Sequence, residues 1–112
     1  MTIQTTENTG VYGKNILNAV TTNVTSAVWV NSVKDSVVQA YIAGTGAVSA
    51  TVTVYGTLKN QASQGISIAV LSLSGTTTDT KGAAILGAWP YMYAVVTSIT
   101  GTGAAVTLLH AV

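Results

Sequence analysis

The sequence predicts an all-β protein, an antiparallel β-sandwich of jelly-roll-like form with about six to eight strands. From Val24 onward, short runs of Val, Thr, Ile, Tyr and Ala are separated by Gly, Asn and Ser, which is the composition of strands and turns. Turn signals recur about every ten residues, and helical periodicity is hard to find. At 112 residues the chain can bury one hydrophobic core, so we expect a single sandwich domain over residues 21–112.

The first 20 residues are less patterned than the rest. We expect residues 1–20 to form either an arm that orders against a partner or a frayed terminus with one short strand in "KNILNAV". The next strand is expected in "SAVWVNSV", Ser26 to Val33, with Trp29 in the core.

A first hairpin is predicted around the loop Gly44-Thr45-Gly46, because glycine supplies the positive φ of a tight connection. This register pairs Ile42 with Val48, Ala40 with Ala50, and Val38 with Val52. The resulting sheet has one apolar face and one face of hydroxyl and amide groups that also carries Tyr41 and Tyr55.

A second loop, Gly101-Thr102-Gly103, repeats the first at an offset of 57 positions. The same rule pairs Val96 with Leu108 and Ala94 with His110, and leaves both faces of this hairpin apolar. Such a hairpin is expected to be central or covered by another subunit. The repeat indicates either an old duplication or convergence on good turn chemistry.

The segments between the loops are predicted from their composition. "GISIAVLSLSG", Gly65 to Gly75, reads as a strand, and "GTTTDTKG", Gly75 to Gly82, as a polar loop. Trp89-Pro90 marks a strand start, because proline cannot donate to a ladder.

The charge content excludes several functions. Charged residues make up 6% of the chain, against about a quarter in ordinary domains, and the formal net charge is +1. We therefore expect no nucleic-acid binding and no membrane partner. So little charge favours a surface covered by partners, with a monomer solubilised by hydroxyl and amide groups as the alternative. No cysteine is present, which removes disulfides and thiolate metal sites. Nor does the sequence show an ordinary export signal or an apolar run long enough to span a membrane.

The inventory for catalysis is small. His110 is the only histidine, and the predicted register places it on an apolar face as a packed or interface residue. Glu7, Asp35 and Asp79 are scattered, the last two in predicted turns. We therefore expect a non-enzyme, with no catalytic residue, no metal site and no cofactor.

Aromatic side chains are the main candidates for contacts, because Tyr and Trp are enriched in interfaces and in sugar-stacking sites. Alternation sends Trp89, Tyr91 and Tyr93 to one side of a strand and Met92 to the other, and this stripe belongs either to the core or to an interface. The candidate interface residues are Trp89, Tyr91, Tyr93, Val95, Leu109, Tyr41, Tyr55, Ile3 and Val11.

Three runs carry a resemblance to a known class of proteins: "VVQAYIAGTGAVSATVTVYGTL", "ISIAVLSLSGTTTDTKGAA" and "WPYMYAVVTSITGTGAAVTLLHAV". From Ser36 to the end, the chain resembles the small β-sandwich decoration, or cement, proteins of tailed bacteriophages. The resemblance implies a jelly-roll-like sandwich that assembles as a dimer or trimer on the outer surface of the capsid. It would staple neighbouring coat subunits without catalysis.

The expected function is thus that of a structural virion protein, with the major capsid protein and copies of itself as partners. Two alternatives stay open: a carbohydrate-binding β-sandwich module with Tyr41, Tyr55 and the Trp89 to Tyr93 stripe as stacking platforms, and a structural subunit of a phage tail or fibre.

Overall fold

The computed structural model describes residues 14–31 and 34–111. These residues form nine strands in two antiparallel sheets, without a helix among them, which confirms the all-β sandwich. The strands are β1 (Lys14–Val20), β2 (Val24–Thr25), β3 (Trp29–Val30), β4 (Ser36–Ala43), β5 (Val48–Thr57), β6 (Ile66–Gly75), β7 (Thr78–Ile85), β8 (Tyr91–Thr100) and β9 (Ala105–Ala111).

The two sheets interleave along the chain. Sheet 1 has the order β1-β9-β4-β7, and sheet 2 has the order β2-β8-β5-β6, with β3 also pairing with β8. Because β2 and β3 both pair with β8, they act as one interrupted strand. The result is the strand order of a jelly roll, in a slab of 41 × 39 × 19 Å.

The core lies between the sheets and follows from strict alternation. In β4, Val38, Ala40 and Ile42 point inward and are buried, and Val106 and Leu108 do the same in β9. Burying each large aliphatic side chain stabilises the fold by about 1.5–3 kcal/mol, so a slip of one residue in register is strongly disfavoured.

Both predicted hairpins are wrong in their pairing. The strand β4 does not pair with β5, because β4 lies in sheet 1 beside β9 and β7, whereas β5 lies in sheet 2 beside β8 and β6. Likewise β8 and β9 lie in different sheets. The inward side of β4 was predicted correctly. Alternation alone does not show whether the next strand pairs with β4 in the same sheet or packs against its buried face from the opposite sheet. The outward residues of β9 are half-buried rather than fully covered.

Both GTG loops therefore connect one sheet to the other, and they contact each other. The Thr45 N–H donates to the Thr102 carbonyl at 2.9 Å, and the Thr45 hydroxyl also donates to that carbonyl at 3.1 Å. The φ angles of Gly46 and Gly101 are 128° and 126°, conformations that favour glycine. The repeated sequence thus builds two adjacent turns at one end of the sandwich.

The repeat extends into the pairing of the strands. In the β4–β9 pair, Ala43 is opposite Ala105, and in the β5–β8 pair, Val52 is opposite Val96. The residue numbers of the partners add up to 148 throughout the β4–β9 ladder and, in the β5–β8 ladder, from Val52 onward, after a register shift between Thr51 and Val52. Over this part the offset of 57 between the loops maps pairs of one ladder onto pairs of the other. The two loop-and-strand units therefore pair in matching register over part of their length.

The predictions for the remaining segments are confirmed in part. The strand expected in "KNILNAV" is β1, and the strand expected at Gly65 to Gly75 is β6. By contrast, "GTTTDTKG" is not a loop: β7 begins at Thr78 and contains Asp79, because its backbone completes the ladder of β4 despite its polar side chains. In the "SAVWVNSV" segment the strand β3 is only two residues long, Trp29–Val30.

Candidate interaction surfaces

The outward face of sheet 2 is centred on two stacked tyrosines. Tyr55 of β5 lies opposite Tyr93 of β8 in register, with ring centroids 4.9 Å apart and ring planes 8° from parallel. Val95 lies beside Thr53 on the same face. Each ring thus covers one face of the other, an arrangement that stabilises the sheet locally.

The segment between β5 and β6 covers much of this tyrosine pair. The Gly65 N–H donates to the Tyr93 hydroxyl at 2.9 Å, and a Cβ atom placed at Gly65 would lie 2.8 Å from the Tyr93 ring. Tyr93 is consequently only 4% exposed. Tyr93 was a candidate for contact with a partner, but its ring and its hydroxyl are engaged within the chain.

The outward face of sheet 1 is more open. Val37 and Tyr41 of β4 are 51% and 42% exposed, and Leu109 of the neighbouring β9 is half-buried beside Gln39. Gly82 of β7 lies opposite Gln39 on the other side. Because Gly82 has no side chain, the surface dips here into a depression of about 490 Å³, lined mainly by apolar groups of β4, β7 and β9. We call this surface the sheet 1 face.

Tyr41 and Tyr55 therefore do not share a surface. The predicted hairpin placed them on the same face, but Tyr41 points outward from sheet 1 and Tyr55 from sheet 2, on opposite sides of the slab. The error has the same cause as the mispaired hairpin, since β4 and β5 belong to different layers.

Trp89 also departs from its predicted stripe. Its ring packs on Gly56, where a Cβ atom would collide with the indole, and Gly56 is opposite the buried Met92. Trp89 precedes the start of β8, so the alternation that places Tyr91 and Tyr93 outward does not apply to it. Trp89 thus contacts the rim of the core, whereas Tyr91 is half-buried next to Thr57. Met92 lies on the inner side, as the alternation predicts.

In the described part of the chain, the strand alternation sends no charged side chain to the middle of either outward face, although Lys81 of the edge strand β7 lines the depression. Charged side chains occur only at the start of β1, in the turns before β4 and after β5, and on the side of β7 that also carries Ile85. These residues are Lys14, Lys34, Asp35, Lys59, Asp79 and Lys81. The carboxylate of Asp79 accepts hydrogen bonds from the Ser74 and Thr80 N–H groups, and these bonds lower its pKa. The turn residue Asp35 accepts a hydrogen bond from the Gly87 N–H at 3.1 Å.

The only histidine lies inside the sandwich. His110 is 6% exposed, its Nε2 lies 2.8 Å from Oδ1 of Asn31, and its ring centroid is 5.2 Å from that of Trp29. Burial, followed by repulsion from Lys14, lowers the pKa of His110. His110 is therefore a packed residue, and Trp29 is in the core as predicted.

The candidate interface residues are distributed over three places. Tyr41 and Leu109 lie on the sheet 1 face, and Trp89 lies at the rim. Tyr55, Tyr91, Tyr93 and Val95 lie on the outward face of sheet 2. Ile3 and Val11 lie outside the described residues. Sequence reasoning missed Val37 and Gly82, although the outward position of Val37 follows from the alternation in β4.

Within residues 14–31 and 34–111, no group of three or more His, Asp or Glu side chains could hold a metal ion. The same residues include no helix long and apolar enough to cross a membrane. Comparison of the chain with protein-family models, with curated proteins and with solved structures finds no match.

Proposed function

We propose that this chain is a non-enzymatic structural protein of a phage particle, bound to the outer surface of the capsid, where it bridges neighbouring coat subunits. The observation that supports the proposal best is the sheet 1 face, which is open and mainly apolar, with Lys81 of the edge strand β7 as the charged residue that lines its depression. Exposed apolar surfaces of this kind mark sites of protein contact.

The sheet 1 face would meet the coat lattice. Val37, Tyr41 and Leu109 project from adjacent strands and can serve as anchors. The depression beside Gly82 can accept a side chain of the partner. A shallow face gives modest affinity per contact, but an oligomer that binds several coat subunits at once gains through multivalency.

The jelly-roll order agrees with this proposal without proving it. Jelly rolls include viral capsid domains and lectins, so the fold alone does not choose between the two. A sugar-stacking platform needs an open ring face with polar groups around it. The stacking of Tyr55 on Tyr93 and the cover over Tyr93 leave little open ring area on this pair, which lowers the support for a sugar platform on sheet 2, whereas Tyr41 on sheet 1 stays exposed.

Location in the particle is tested by stoichiometry. The number of copies in purified particles from the source of this chain would be measured by quantitative mass spectrometry against the major coat protein. A ratio near one to one, or a simple fraction such as one third, is expected for a decoration protein. A few tens of copies or fewer would instead indicate a tail or fibre subunit, and complete absence would overturn the proposal.

The contact surface is tested by a matched pair of charge variants. Val37→Lys places a charge on the sheet 1 face, and Ser98→Lys places the same charge at an exposed position of β8 in sheet 2. Because an interface charge without a partner is costly, Val37→Lys should weaken binding to particles lacking this chain about tenfold or more. Ser98→Lys should bind normally. Equal binding by both variants would remove the sheet 1 face from the proposal.

The proposed arm has its own test. The first described residue, Lys14, is opposite His110 in register, and its strand β1 runs beside β9, which contributes Leu109 and Ala111 to the depression. Residues 2–11 precede this strand in the sequence, and we propose that they contribute to binding of the particle. Deleting residues 1–10 should weaken particle binding, and unchanged binding would exclude a role for the arm.

A further inference from the structure

Over the residues that the structure describes, the two sheets have four edges, and three of them carry features that discourage pairing with another chain. A sheet edge exposes a row of backbone N–H and C=O groups, which natural proteins protect with charges, irregularities or short strands. At one edge of sheet 1, β1 begins with Lys14 and has two shifts of register against β9. At the other edge, β7 carries Asp79 and Lys81. In sheet 2, β2 and β3 have only two residues each.

The fourth edge, β6, lacks these features over most of its length. It has ten residues, "ISIAVLSLSG", with neither charge nor proline. Its one register shift against β5 lies near its start, and Val70 to Gly75 pair with β5 without interruption. Ile66 and Val70 are 61% and 57% exposed. Such a strand is a ready template for strand addition.

The direction of the backbone groups on β6 follows from one hydrogen bond. The Ser74 N–H donates to Oδ2 of Asp79 at 2.9 Å, so it points away from β5. Because alternate residues of a strand point their N–H and C=O groups to the same side, those of Ser72 and Val70 also point outward. Among the described residues, no strand pairs with this side of β6.

We propose that the outer edge of β6 pairs antiparallel with β6 of a second copy of this chain. Pairing centred on Leu71 places Val70 opposite Ser72 of the second copy, and the reverse, so that the outward N–H and C=O groups of both residues are satisfied in both copies. This register leaves the hydrogen bond between Ser74 and Asp79 intact. Sheet 2 then continues across the two-fold axis of a closed dimer.

A second copy fits this edge for two reasons. The strand β6 itself carries no charge, so it offers no complement to a charged partner, and the Asp79 carboxylate contacts this edge only at Ser74, away from Leu71 at the centre of the pairing. A strand that pairs antiparallel with an identical strand also places Val70 of each copy beside Ser72 of the other and diagonal to the other Val70, which buries part of the exposed surface of both valines. The inference stands apart from the proposed function, because it concerns the purified chain alone and can fail while capsid binding holds.

The test is sedimentation velocity of the full chain over concentrations up to about 100 µM, a range that detects micromolar dissociation constants. The wild-type chain should move from 11.3 kDa toward twice that mass as its concentration rises. Ser72→Pro removes an outward N–H without removing a bond to β5, and edge strands tolerate proline at such positions. Ser72→Lys brings two like charges together across the axis and preserves the backbone. Both variants should raise the dissociation constant at least tenfold.

The control is Thr51→Lys, because Thr51 is opposite Ser72 on the central strand β5 and shares its outward face. Thr51→Lys should dimerise within about twofold of wild type if the edge, rather than the face, forms the interface. A monomeric wild-type chain at every concentration would overturn the proposal. So would a folded Ser72→Lys variant that dimerises like wild type, or a loss of dimer in Thr51→Lys equal to that in Ser72→Lys.

Discussion

Replacing Gly101 with alanine should destabilise the protein much more than the same change at Gly46. The two glycines occupy the paired GTG loops and have nearly the same φ, 126° and 128°. Their surroundings differ: a Cβ atom at Gly46 meets nothing within 4 Å, whereas at Gly101 it would lie 2.6 Å from the Ala47 carbonyl oxygen and 3.0 Å from Cγ1 of Val48.

The expected magnitudes follow from these distances. Both alanines adopt an unfavourable backbone conformation, which costs about 1–3 kcal/mol in each variant. Only Gly101→Ala adds an overlap with backbone and with the buried Val48, and overpacking of this kind costs about 1–3 kcal/mol more. For a chain of this size each kcal/mol lowers the melting temperature by about 4 °C, so Gly101→Ala should melt about 4–12 °C below Gly46→Ala.

The assay is urea unfolding followed by the fluorescence of the buried Trp29, with calorimetry for the melting temperatures. The comparison of the two variants cancels the shared backbone cost and isolates the contact between the loops. If both variants lose the same stability, the close packing of the two loops is wrong, even if each alanine is destabilising.

Three further predictions concern other contacts. Because the folded protein lowers the pKa of His110, the unfolded chain binds more protons below about pH 6.5, so the contribution of His110 to stability should be complete above that pH and decline as the pH falls. His110→Gln should abolish this decline, measured as the urea midpoint at each pH. An unchanged pH profile in the variant would contradict the burial of His110. Tyr93→Phe should cost about 1 kcal/mol and speed hydrogen exchange at the Gly65 amide, and unaltered exchange would show that the hydrogen bond does not hold that loop. Gly56→Ala should be strongly destabilising in the wild-type chain and less so in the presence of Trp89→Leu, with a coupling free energy of about 0.5–3 kcal/mol in a double-mutant cycle. Additive effects of the two changes would show that Gly56 and Trp89 do not interact.

The candidate surfaces were only partly accessible from the sequence. Aromatic enrichment selected Tyr41 and the apolar second hairpin selected Leu109, and both lie on the sheet 1 face. Aromatic enrichment also selected Tyr93, which is buried. Composition indicates that a tyrosine is suited to an interface. Whether a loop of the same chain covers that tyrosine depends on the path of the loop, such as the one that ends at Gly65. The depression beside Gly82 has no signal in the sequence, because it arises from three strands that are distant along the chain.

The sequence determines the class of fold and the inward side of a strand such as β4, in which apolar and polar residues alternate. Alternation is a local property, since successive side chains point to opposite faces, and for that reason Val38, Ala40 and Ile42 could be assigned to the core from their spacing alone. The GTG turns are equally local, because glycine permits the conformation they need.

The partner of each strand is a different matter. A tight glycine turn followed by an alternating strand can fold back into the same sheet or cross to the opposite one, and both choices bury the same side chains. The choice is made by contacts far apart in the chain, such as those of β4 with β9 and of Thr45 with Thr102. The apolar stripe of β4 faces sheet 2 across the core while its backbone pairs within sheet 1, and only the assembled sandwich distinguishes these two kinds of neighbour.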